Sequence, residues 1–257
     1  MPARELSHGR GAAEPLRVVD ADPVRVTLRR GFWMGKFEVT QDQWQRVMGM
    51  SLAEQQAKEP RLPRRLNDDG SVRFGAGEGP DYPIYFTSHD DAEAFCRKLT
   101  EAERDAGRLE AGAEYCLPTE AQWEFACRAG TTTATAFGDR LGSAQANFDG
   151  TAPFQGAPVG PYPGLTTPVG RYPANAWGLH DMHGNLWEWC RDGYVEIPGG
   201  GTDPFETTSL SLPSWPIRGG CWHNEGRSCL SSSRSKGKVA QRGYGLGFRV
   251  ALLATAP

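Results

Sequence analysis

The hydrophobic period of this chain changes character at Gly130, and that break constrains the fold more than anything else in the sequence. Before it, three segments carry helical spacing and helix-start signals. Thr40 with Gln43, and Thr119 with Gln122, stand as N-cap and capping-box partners. Ser88 is a further N-cap. The buried stripes that follow are Trp44, Val47 and Met48; then Ala92, Phe95, Cys96 and Leu99; then Trp123, Ala126 and Cys127. Gly49 and Gly130 are the stop signals. After Gly130 the helical period is gone, and short β-like pieces such as 187–189 and 247–251 lie among Gly, Pro, Asn and Thr. With 32 Gly and 19 Pro, about a fifth of the 257 residues favour turns. The pattern predicts an α+β domain of low regular secondary structure, with its helices in the first half.

Upstream, Val24–Leu28 alternates as a strand and 32–39 reads as a second. Residues 1–23 read as a weakly ordered lead-in, and 24–257 as a single domain. Residues 50–80, with Pro60 and Pro63, read as a long excursion loop. Net charge is −3 with the signs interspersed, which argues against nucleic acid as a partner. No apolar run approaches the length of a membrane span, and the first 30 residues contain no signal-peptide core, so no membrane association is expected. Cys96 and Cys127 fall on apolar faces of expected helices and read as buried thiols, and six cysteines without a C-x-x-C spacing fit a reducing, cytoplasmic setting.

Seven phrases stand in order along the chain. They are the stretches 32–41, 117–130 and 147–150, then 167–170 and 175–189, and last Arg218-Gly-Gly220 with the closing Gly247-Phe-Arg-Val250. Together they resemble the formylglycine-generating-enzyme (sulfatase-modifying-factor) family over about residues 24–252. The resemblance implies a variant of the C-type lectin fold, structural calcium and a cleft floored by the segment after Arg218-Gly-Gly220. Members include copper oxidases that make formylglycine, iron-dependent sulfoxide synthases, and non-catalytic binding proteins diversified by retroelements, so the family does not fix the function.

The copper oxidases carry two cysteines with four residues between them soon after Arg-Gly-Gly, because two soft thiolates hold copper(I). Counted from Gly220, those positions fall here on Asn224 and Cys229. Counted back from Arg234, the loop is shorter and both fall in a gap. Neither alignment gives the pair, so formylglycine-generating activity is not expected. Two readings follow. In the first, the 221–246 loop is a binding surface for a protein or small-molecule ligand, formed by Trp222, His223, Asn224, Arg227, Ser228, Ser231, Ser233, Lys236 and Tyr244, residue types common in adaptable recognition loops. In the second, Cys221, His223 and Cys229 are catalytic candidates of an oxygen-dependent copper or iron enzyme. His180 and His183 flank a turn and read as structural. By resemblance, calcium takes Asn147 with the Phe148 carbonyl at one site, and Asn185, the Leu186 carbonyl and Glu188 at another. Arg218 and Arg249 are expected to tie the closing strands.

Overall fold

A computed structural model describes residues 24–58, 77–207 and 213–253, with the backbone of three further short strands. In chain order the elements are β1 (Arg4–His8), β2 (Val24–Leu28), β3 (Phe32–Met34), α1 (Gln41–Met48), α2 (Leu52–Ala57), β4 (Arg65–Leu66) and β5 (Val72–Phe74). Then follow α3 (His89–Asp105), β6 (Glu114–Cys116), α4 (Glu120–Arg128), β7 (Trp187–Trp189), β8 (Gly201–Thr202), β9 (Ser214–Arg218), β10 (Arg234–Lys238), β11 (Leu246–Gly247) and β12 (Ala251–Leu253).

The helix starts follow from their caps. Thr40, Ser88 and Thr119 each accept a hydrogen bond from the third residue of the helix they open, and that residue's side chain returns the bond. Gly49 closes α1 in the left-handed region, at φ 70°. α4 ends on Ala129, also left-handed, one residue before the expected Gly130. Ser51 and Glu54 form a further capping box that starts α2 inside the segment read as a loop. Residues 59–64, 67–71 and 75–76 of that segment lie outside the described residues, as does most of the N-terminal lead-in, of which Arg4–His8 pairs antiparallel with β2. The strand expected over 32–39 stops at Met34, and Glu38 beyond it is buried.

Two sheets frame the second half. One has the order β10-β9-β7-β11, with only the β7–β11 pair parallel; the other is β3-β12-β6, antiparallel throughout. The largest core cluster joins α1, α3 and these sheets. Trp44 stacks on Phe95 at 5.8 Å, and Phe248 meets both rings edge-on. Trp189 is buried beside them and donates its indole N–H to the Thr87 carbonyl.

α4 has no solvent face; all nine residues are buried, Glu120, Gln122, Glu124 and Arg128 among them. Buried charge is tolerated only when paired. Glu124 pairs with Arg128 at 2.9 Å and Arg218 at 2.5 Å, and Glu120 takes Arg234 at 2.6 Å. Arg218 also donates to the carbonyls of Ser231, Ser232 and Ser233, which fastens the middle of the candidate loop to α4. Arg249 forks onto Glu188 with two contacts of 2.6 Å. Both arginines therefore tie the closing strands as their placement in the sequence suggests.

Candidate functional site

The Arg218-Gly-Gly220 turn builds the site. Gly219 and Gly220 take φ of 97° and 74°, a region that favours glycine. A Cβ on Gly220 would stand 2.4 Å from the Cys229 sulfur, so that thiol is packed beneath the turn. Beyond the turn, the Cys221 sulfur lies 3.3 Å from Nδ1 of His223 and 3.0 Å from Oδ1 of Asn224, which also accepts from the Cys221 backbone N–H. Gly245 closes the other side; a Cβ there would come within 2.8 Å of that sulfur and 2.7 Å of the His223 ring.

Aromatic rings enclose this cysteine. Trp222 donates its indole N–H to the Tyr244 carbonyl and lies 4.8 Å from His223, centroid to centroid. Tyr162 stacks over Trp222 at 6.5 Å. Tyr244 packs on Phe86 at 4.6 Å and on Tyr85 at 6.0 Å. Phe86 takes φ 63°, unusual for a bulky residue. It is held there by its N–H to the Gly243 carbonyl and by Gln55 and Arg242, which donate to its own carbonyl. Tyr162 is exposed, and Val159 and Leu165 of the same loop add exposed apolar surface.

Burial pushes the Cys221 thiol up to about 12, and the Cys229 thiol well above its ordinary value, with Cys221 adding to the second shift. Both are therefore thiols at neutral pH. The protein packed around His223 lowers its pKa.

The predicted binding residues divide. His223 and Arg227 are exposed, and Asn224, Ser228, Ser233 and Tyr244 are half-buried. Trp222 and Ser231 are buried, and Ser231 spends its backbone on Ala134 and Arg218. Lys236 belongs to β10, where its ammonium stands over the Tyr194 ring and near Glu196. Part of the expected loop is thus a sheet strand. Cys221, His223 and Cys229 do not form a trio with ligand atoms within 4.8 Å of one another.

The oxygen sets expected to hold calcium are unequal. Glu188 is committed to Arg249 and to the Trp123 indole N–H at 2.6 Å. Asn185 accepts from Asn147 and Thr167 and donates to Glu38. In that set the side-chain oxygens of Asn185 and Glu188 already accept hydrogen bonds. Asn147 differs: its amide nitrogen donates to the Leu165 carbonyl and to Asn185, while its Oδ1 is buried with no hydrogen-bond partner. An orphaned buried oxygen fits a hard cation, and Phe148 follows directly. Sequence reasoning missed Glu38 and Asp181, buried carboxylates that share this region with Glu188 and the Arg249 guanidinium. Burial, reinforced by the neighbouring acids, holds Glu38 well above the ordinary carboxylate range. Its place inside the phrase 32–41 was the available signal.

The family described as sulfatase-modifying factor enzyme 1-like domain matches residues 6–254. The chain is 28% identical over 262 residues to the serine/threonine-protein kinase pkn1 of Chlamydia caviae, covering 94% of this chain and 36% of that protein. It is 41% identical over 112 residues to the formylglycine-generating enzyme of Mycobacterium tuberculosis, covering 42% of this chain and 32% of that enzyme. The chain thus spans about a third of the length of these curated relatives. Among solved structures, PvdO from Pseudomonas aeruginosa superposes with a TM-score of 0.73 at 23% identity, covering 99% of this chain and 93% of that one. Treponema denticola variable protein 1 gives 0.66 at 22%, covering 98% and 95%. These likenesses show the fold, a formylglycine-generating-enzyme-like α+β domain.

Proposed function

We propose that this chain, which belongs to the sulfatase-modifying factor enzyme 1-like domain family, works as a non-catalytic binding module. Its recognition face is the surface around Trp222, His223, Asn224, Arg227 and Tyr244, with Tyr162 as an aromatic rim. The observation that carries this reading is the placement of the sulfurs. Cys221 and Cys229 are buried and make no three-ligand cluster with His223, and Asn224 stands where a second thiolate would be needed, whereas polar and aromatic groups of the same segment reach solvent. A ring-lined, half-polar surface on a rigid frame suits a protein or small-molecule ligand instead. Calcium at Asn147 and the Phe148 carbonyl would brace that frame, supported by the orphaned Oδ1. Six free thiols favour a cytoplasmic location. The variable-protein version rests on the fold shared with the Treponema denticola protein, and predicts an imperfect repeat of the coding segment for 220–246 beside the gene.

The contact of Cys221 with His223 favours the second reading, an oxygen-using copper or iron enzyme. Metal analysis of the purified, untagged protein separates the two. The binding module predicts no copper or iron in proportion to protein. One equivalent of either, lost in both Cys221→Ala and Cys229→Ala, would overturn it.

A further inference from the structure

His89 is the first residue of α3, and its ring is 2% exposed. It lies 4.7 Å from the Trp215 ring and edge-on to Trp189 at 5.7 Å. Its Nε2 is 3.0 Å from the Cys190 carbonyl oxygen. A carbonyl only accepts, so Nε2 carries the proton and Nδ1 carries the lone pair. That Nδ1 is buried and has no hydrogen-bond partner. Asp90 and Glu93 are exposed, and Glu93 is four residues on, over the same helix face. A ring nitrogen of His89 and a carboxylate oxygen from each acid lie within 4.8 Å of one another.

Acids in a first helical turn would by themselves need no more than the helix dipole to explain them. The bare Nδ1 is not explained that way. A buried acceptor without a donor costs free energy, and this ring has a nitrogen within 4.8 Å of carboxylate oxygens of Asp90 and Glu93, which repel each other, with Arg97 and Arg191 as the cations facing Glu93. A cation at this point would satisfy the nitrogen and both acids. The Cys190 carbonyl fixes the tautomer and ring orientation, as the outer partner of a metal-bound histidine does.

We propose that Nδ1 of His89 and the carboxylates of Asp90 and Glu93 form a site for a zinc-class divalent cation at the start of α3. One imidazole and two carboxylates suit zinc or cobalt, with water completing the shell. They suit calcium and copper(I) poorly, since the first wants more oxygens and the second wants sulfur.

Untagged full-length protein, stripped with chelator, is titrated with Zn²⁺ by calorimetry and with Co²⁺ by visible absorption. The expected result is one equivalent bound, with affinity falling at least about tenfold in Asp90→Asn and again in Glu93→Gln. Both acids are exposed, so circular dichroism and thermal midpoint of the stripped variants should match the wild type. The absence of a one-to-one complex, or binding that survives both substitutions, overturns the site. A water bound to Nδ1 would give the first of these outcomes.

Discussion

His183 has a ring that hardly meets water, and both its nitrogens are assigned by their partners. Nδ1 donates to the Cys229 carbonyl at 2.7 Å, and Nε2 accepts from the Ala136 N–H at 3.1 Å. The neutral ring satisfies both, whereas a second proton would face a donor. Burial, with the Arg128 charge behind it, lowers its pKa to about 4 against the Cys229 hydrogen bond that raises it. The consequence for stability has a definite sign. Between about pH 6.5 and 4 the unfolded chain protonates this histidine and the folded chain does not. Stability from His183 is complete above the unfolded value and is lost as pH falls through that window, by roughly 1.4 kcal/mol per pH unit. His89 acts in the same direction, while Asp181 and Asp192, pushed up by burial, act in the opposite one. The informative quantity is therefore a difference. His183→Gln can still donate and accept at the same places. Its stability deficit relative to wild type in urea melts should shrink as pH drops from 6.5 to 4. A deficit constant over that range would mean that the ring takes up its proton in the folded state as readily as in the unfolded one.

At the level of elements, β9 and β10 matter because they lie over a tryptophan. Gly237 of β10 is opposite Trp215 in register, and a Cβ there would stand 2.3 Å from the Trp189 ring. Trp189 belongs to the main core, so it has little room to retreat. Gly237→Ala should cost about 1–3 kcal/mol through overpacking, seen as a lower urea midpoint at unchanged slope. If the midpoint holds, β10 lifts off its neighbour easily and the candidate surface beside it is softer than the hydrogen bonds imply. These strands were not legible in the sequence. Ser214–Arg218 includes a proline and Arg234–Lys238 is polar, so neither alternates; only the pairing makes them strands. The helices were legible because a capping box is local, four residues wide. Ser51 and Glu54 carried the same signal, which the prolines further on obscured. The burial of α4 was not legible, because the cations that neutralise it come from Arg218 and Arg234, 94 and 114 residues away. The site divides on the same line. Cys221, Trp222 and His223 are neighbours in sequence and were recognised together. Tyr85, Phe86 and Tyr162, which enclose them, arrive from distant loops without a spacing to announce them.

The whole molecule is closed by its last described strand. β12 lies between β3 and β6, with Ala251 opposite both Met34 and Cys116 and Leu253 opposite both Phe32 and Glu114. Immediately before it, Phe248 enters the core beside Trp44 and Phe95, and Arg249 joins Glu188, the Gly35 carbonyl 214 residues away and the His180 carbonyl. Six residues, 248–253, thus hold the N-terminal strands, the helices and the irregular second half to one another. Contacts of such separation require most of the chain to be ordered first, so they are slow to form and add stability only once complete. Ending the chain after Val250 keeps Phe248 and Arg249 but removes β12. β3 and β6 are then left with unpaired, partly buried edges, which water cannot fully satisfy and which invite aggregation. The shortened chain should lose its cooperative calorimetric transition and bind a hydrophobic dye, rather than melt a few degrees lower. Ala251→Gly, which keeps the backbone pairing and removes one buried methyl, should melt cooperatively at a reduced midpoint. Were the truncated chain to melt as sharply as the full one, closure would rest on Arg249 and Phe248 alone, and β12 would be an ornament on a fold already complete at residue 250.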